Sequence, residues 1–196
     1  MKKIDLVERA KSIILQPKQE WELIDREQYE VKDLFTNYVL ILAAIPAVVG
    51  FVGASIVPLG GYLSSYRIPI PNGIAHMVID YLFSLGSVYV LAVIIDGFAP
   101  TFGGEKNFLQ SMKLAVFSST ALWLAGVFFI LPAMSILYLL GLYSLYLLYL
   151  GLPLLMNVHE DKRVPYFVVI AVLGLVINVV IRAVAALTIP GPVRGF

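Results

Sequence analysis

Charge vanishes from this chain between residues 114 and 158, where apolar side chains fill almost every position. The stretch holds roughly 45 residues, about twice what one helix needs to cross a hydrocarbon core. One straight helix of that length would reach about 68 Å, too far for a single crossing. The pattern therefore predicts two spans, 109–131 and 133–156, meeting at Pro132. A re-entrant hairpin is the other reading of the same run. Three further apolar segments predict spans over 34–58, 74–95 and 164–188. The expected fold is all-α: a polytopic membrane protein, with a bundle of five transmembrane helices over 34–196.

Residues 1–33 show a different pattern. Ile4, Val7, Ala10 and Ile14 recur at helical spacing, Leu6 and Ile13 widen that face, and Lys2, Lys3, Arg9 and Lys11 surround it. This predicts an amphipathic helix on the cytoplasmic side, able to lie in the interface plane; it either packs on the ends of the bundle or forms a docking surface for a protein partner. Pro17 should end or bend it. Trp21, Leu23 and Ile24 then form a second apolar patch.

Composition fits a membrane protein. The chain is 60% hydrophobic and 14% charged, with a mean hydropathy of +0.88; soluble domains carry roughly 25% charged residues. The absence of cysteine excludes disulfides, thiolate metal sites and cysteine nucleophiles. A net charge of +1 gives no reason to expect nucleic acid. Fifteen of the twenty-seven charged residues lie in 1–33, with no apolar run beside the opening lysines. The expectation is that no signal peptide is cleaved and that the first span directs insertion.

Lysine and arginine set the expected orientation. With the N-terminus inside, eleven of these residues fall in inner segments, against two outside, Arg67 and Arg194. Trp21, Tyr29, Tyr62 and Tyr66 flank the first span as interfacial anchors. The expected location is the cell membrane, with the N-terminus cytoplasmic and the C-terminus outside. Arg67 to Gly73 reads as a connection broken by Pro69 and Pro71.

Polar residues inside spans are the candidates for chemistry. Asp80 and Arg182 each lie about six residues from the outer end of their spans, roughly 9 Å deep. Matched depth and opposite sign predict an ion pair. Asn178 and Gly174 share a helical face with Arg182, and His76 lies one turn before Asp80. His76 and Asp80 lack further metal ligands, since His159 falls at the opposite end. Asp96 and Lys113 form a second candidate pair, or reach separately to headgroups. Tyr138, Tyr143, Tyr146 and Tyr149 either pack or line a hydroxyl-rich path. Ala43, Ala47, Gly50 and Ala54, with Ala121 and Ala125, mark close helix packing, and Pro46 and Pro153 predict kinks.

No catalytic motif is visible. Gly103-Gly104-Glu105-Lys106 lacks the spacing and the Ser/Thr of a phosphate-binding loop. Neither an enzyme nor a cofactor is expected. The leading expectation is a membrane protein that organises membrane or protein partners. Its cytoplasmic surface would include Trp21, Phe102, Lys106, Asn107, Phe108 and Lys113. The alternative is a small transporter or channel component using Asp80, Asn178 and Arg182.

Three stretches carry a family likeness: Pro17-Lys18-Gln19-Glu20-Trp21, Phe102-Gly103-Gly104-Glu105-Lys106-Asn107-Phe108-Leu109-Gln110, and Gly141 to Pro153 with its tyrosines. Together with Lys113 to Thr120 and Asp161-Lys162, they resemble the prokaryotic branch of the Yip1 family of five-span membrane proteins. The resemblance covers nearly the whole chain. It implies an N-cytoplasmic five-helix bundle, with the lipid bilayer and either self-association or another membrane protein as partners. Eukaryotic relatives bind Rab-type small GTPases and act in vesicle traffic. This chain lacks their long N-terminal region and their Asp-Leu-Tyr-Gly-Pro signature, and has Ala121 where a proline is expected. Small-GTPase binding is therefore not carried over.

Overall fold

Apolar stretches of spanning length form helices because no water is present to satisfy their backbone groups, so each amide must bond within its own segment. The computed structural model describes residues 5–56, 68–130 and 132–188, without the side chains of 132, 133, 135, 181, 182 and 184–188. Five helical segments are long and apolar enough to cross a membrane: Val31–Ile56, Ile70–Phe102, Phe108–Ile130, Ile136–Met156 and Glu160–Val180. They are spans one to five below. Two shorter helices precede them, α1 (Leu6–Leu15) and α2 (Pro17–Arg26). Lys2, Lys3, Ile4, Tyr62, Tyr66, Arg67 and Arg194 lie outside the described residues.

Span three is the hub. Its residues from Ser111 to Ser118 are buried without interruption. Spans two and four flank it, α2 lies on span four, and span five packs on spans two and four. Spans three and four pair antiparallel on either side of Pro132, the arrangement expected for the uncharged run. Most of spans two and five faces outward. In a bilayer that surface is solvated by lipid tails and costs nothing to expose.

Span two starts earlier than expected. Helix begins at Ile70, with Pro71 in its first turn. A first-turn proline breaks no intrahelical bond, because the amide it lacks would have had no partner there. The Arg67–Gly73 connection is therefore shorter than its prolines suggested. Span two continues through a tight turn, Ala99–Phe102, and stops at Gly103, whose φ of 74° suits glycine at a helix C-terminus.

Breaks within the spans follow from missing or diverted donors. Pro46 removes the amide that would bond the Leu42 carbonyl, and the first span turns at Ala43. In span three the Ser119 hydroxyl donates back to the Ala115 carbonyl at 2.7 Å, where the helix is interrupted. The Leu122 amide beyond that break donates to the Ser144 hydroxyl oxygen of span four at 2.9 Å. Pro153 frees the Tyr149 carbonyl, and Arg163 fills it from Nε at 3.2 Å and Nη2 at 3.0 Å, with its guanidinium 3.8 Å from the Tyr149 ring centroid. The Pro153 kink is thus tied to the start of span five. An Arg163→Gln variant is expected to expose that carbonyl at a cost of about 1–3 kcal/mol, read as a lower midpoint in thermal unfolding.

Close approach depends on glycine at several positions, Gly151 among them. A Cβ on Gly151 would lie 2.7 Å from both Leu114 Cδ1 and Trp21 Cε2. Trp21 is 1% exposed, so its ring has little room to withdraw. Gly151→Ala is expected to destabilise by about 1–3 kcal/mol through overpacking. Trp21 emission at lower denaturant or temperature than in the parent protein checks it.

Candidate functional site

Among the described residues, the fold gathers one buried group of polar side chains that the sequence did not single out. It lies where the α1–α2 hairpin meets spans one and three. Asp5 caps α1 by accepting from the Glu8 amide at 3.1 Å, and Pro17 starts α2 in the position where its missing amide is harmless. The two helices fold back on each other, and each puts apolar residues inward: Ala10 and Ile13 from α1, Trp21 and Ile24 from α2. Arg9 is four residues before Ile13, and Glu20 four before Ile24, so both charges share the buried faces.

Arg9 therefore enters the protein interior beside carboxylates. Its guanidinium pairs with Glu20 and with Glu27, and donates to the Tyr29 hydroxyl at 3.0 Å. The Tyr29 hydroxyl in turn donates to Glu27. Burial alone would disfavour the charged guanidinium, but Tyr29, Glu20 and Glu27 outweigh it and hold its pKa above the ordinary value. Burial, then the bond to Glu27, push the Tyr29 hydroxyl up in the same way, so it stays a donor.

Lys113 completes the joint from span three. Its ammonium donates to three carbonyls at the end of α2: Ile24 at 3.0 Å, Asp25 at 3.3 Å and Glu27 at 2.7 Å. A helix C-terminus presents unpaired carbonyls and partial negative charge, so a cation there meets both needs. Gln110, one turn earlier, donates to the Asp25 carboxylate at 2.8 Å. Phe117 lies beneath, ringed by Trp21, Tyr29 and Tyr38 at centroid distances of 6.4, 6.0 and 5.0 Å, with Arg9 5.9 Å from its centroid. Tyr38 and Thr120 share a buried hydrogen bond of 2.9 Å.

This arrangement revises several sequence expectations. Trp21 and Lys113 are buried, so neither belongs to an exposed interaction surface. Trp21 fills the gap over Gly151, and Lys113 serves α2 rather than Asp96 or headgroups. Phe102 stacks on Tyr166 at 4.9 Å and Phe108 meets Tyr89 edge-on at 5.7 Å, so both aromatics are engaged within the bundle. Lys106 and Asn107 are exposed, and Asn107 caps span three by accepting from the Gln110 amide at 3.2 Å.

The second candidate group lies on spans two and five. Asp80 and Asn178 face outward and His76 is half-buried. Asn178 donates to Gly174, one turn back on its own helix, at 3.0 Å. The side chain of Arg182 lies outside the described residues. Between these helices, Phe83, Gly86, Ser87, Val90, Val176, Ile177 and Val180 line an open, wholly apolar cleft of about 340 Å³. The tyrosines of span four serve different neighbours: Tyr143 donates to the Ile14 carbonyl of α1 at 3.0 Å, Tyr149 meets Phe167, and Tyr138 lies against Phe129.

Arg9, Glu20, Glu27 and Tyr29 were missed as a group in the sequence. The available signal was a charge placed one turn from the buried apolar residue of each short helix.

Comparison with known proteins gives a consistent result. The family model described as the Yip1 domain matches residues 11–181. Lys113, Glu20, Glu27 and Tyr29 fall within the match, and Arg9 just before it. The inner membrane protein YohC of Escherichia coli K12 is 26% identical over 176 residues, covering 87% of this chain and 90% of the relative. The same protein from E. coli O6:H1 matches equally. No solved structure matches.

Proposed function

This chain belongs to the Yip1 family of multi-pass cell-membrane proteins, and from that premise we propose that it is a non-enzymatic membrane scaffold, engaging membrane partners through its lateral faces. The supporting observation is where polarity is used. Arg9, Glu20, Glu27, Tyr29 and Lys113 bind one another and the end of α2. Spans two and five meanwhile turn Leu82, Val90, Leu175, Val176 and Val179 outward around an apolar cleft. Such faces suit van der Waals packing against another helix, the main source of association inside a bilayer. The lysine and arginine distribution supports an N-terminus on the cytoplasmic side.

Photo-crosslinking in native membranes tests the proposal. A photoreactive residue at Val90 or Val176 should give discrete protein adducts, whereas one at outward-facing Val48 should not. Lipid adducts alone at all three positions would overturn the scaffold reading. If solute flux in proteoliposomes then proved sensitive to Asp80→Asn, the transport reading would replace it.

A further inference from the structure

We propose that the tip of the α1–α2 hairpin is a wedge inserted into the membrane surface, where it binds anionic phospholipid through Lys11 and Lys18. Two independent contacts set its depth. Lys113 is the last charged residue before the uncharged run, and its ammonium holds the C-terminal end of α2. The other end of α2, at Pro17, is nine residues away along the helix, about 14 Å at 1.5 Å per residue. At that end, the Ile14 carbonyl accepts from Tyr143 at 3.0 Å, and α1 lies against Thr120–Ala125 of span three. Thr120 lies seven residues beyond Lys113, about 10 Å deeper into the uncharged segment. The hairpin therefore points tip-first towards the middle of the bilayer.

The surface of the tip suits that depth. The inward faces of both helices are occupied by the bundle, but Leu15 is 65% exposed. Leu15 sits at the turn itself. The exposed charged residues nearest the turn are Lys11 and Lys18; the exposed acids Glu8 and Glu22 lie farther from it, and Glu20 is buried against Arg9. Apolar residues at the boundary with long basic side chains beside them match a lipid surface carrying phosphate, since lysine buries its stem and lifts its ammonium to the headgroups. Exposed acidic residues occur only where the hairpin has returned towards water.

The natural absence of cysteine makes the test direct. Spin labels on L15C and E22C, each in the full-length protein, are compared in nanodiscs of phosphatidylcholine with and without phosphatidylglycerol. The label at L15C should be relaxed strongly by oxygen and weakly by a water-soluble nickel chelate, and that at E22C the reverse. Equal nickel accessibility at both positions would overturn the wedge. The unlabelled protein should retain phosphatidylglycerol over phosphatidylcholine on extraction. The K11Q/K18Q variant should lose that preference by a factor on the order of ten. Unchanged retention in this variant would overturn the lysine–phosphate contact. The lipid contact stands apart from any protein partner on spans two and five.

Discussion

Arg9→Met is expected to release the N-terminal hairpin from the bundle. The substitution keeps most of the side-chain length and removes the single guanidinium that joins Glu20, Glu27 and Tyr29. Glu20 and Glu27 would then lose the guanidinium between them in a nearly enclosed space. Breaking a buried pair from one side costs about 3–5 kcal/mol, because the remaining charge is neither solvated nor paired. Glu20 loses its guanidinium here, while Glu27 keeps the bond from Tyr29. Trypsin sites at Lys11, Lys18 and Arg26 should be cleaved faster in the solubilised variant than in the parent. The triple variant R9M/E20Q/E27Q should recover much of the loss, since no uncompensated charge remains. Resistance of R9M equal to that of the parent protein would show that the ion pairs add nothing to docking.

Lys113→Met should act at the other end of the same joint. Three carbonyls at the end of α2 would lose one ammonium, and no amide is placed to replace it. Hydrogen bonds to a charged group contribute about 1.5–3 kcal/mol each, and the three share one donor, so a total of about 3 kcal/mol or more is expected. Lys113→Arg should not restore it. The ammonium directs its donors around a point, whereas guanidinium offers a planar fork that cannot reach three carbonyls on one helix end. Thermal unfolding of K113M and K113R measures both statements; a parental midpoint for K113R would contradict the second.

These effects mark the limit of what was legible in the chain. The five spans were readable because each is a long apolar stretch, and a bilayer leaves such a stretch few alternatives. The antiparallel pairing of spans three and four followed from the length of the uncharged run and from Pro132. Boundaries near proline were harder: Pro71 looked like a break and proved to be a first-turn residue. Lys113 was legible as a charge at the membrane edge but not as the cap of α2, because its three acceptors are backbone atoms more than eighty residues away. Backbone acceptors leave no mark in side-chain chemistry. Arg9 and Glu20 were masked for the opposite reason. Both sit in a segment crowded with charge, where one buried ion pair resembles its solvated neighbours. Trp21 and Ile24 did announce an apolar patch; that it is covered by Phe117 and Gly151 is a tertiary fact.

Hydrogen–deuterium exchange of the full-length protein in nanodiscs tests most directly whether the hairpin is an integral part of the bundle. Amides of Leu6–Leu15 and Pro17–Arg26 should exchange almost as slowly as those of Phe108–Ser118, and should become fast in R9M while the Phe108–Ser118 amides stay slow. Exchange of both short helices in the parent protein as fast as in the exposed 103–107 connection would contradict a docked hairpin.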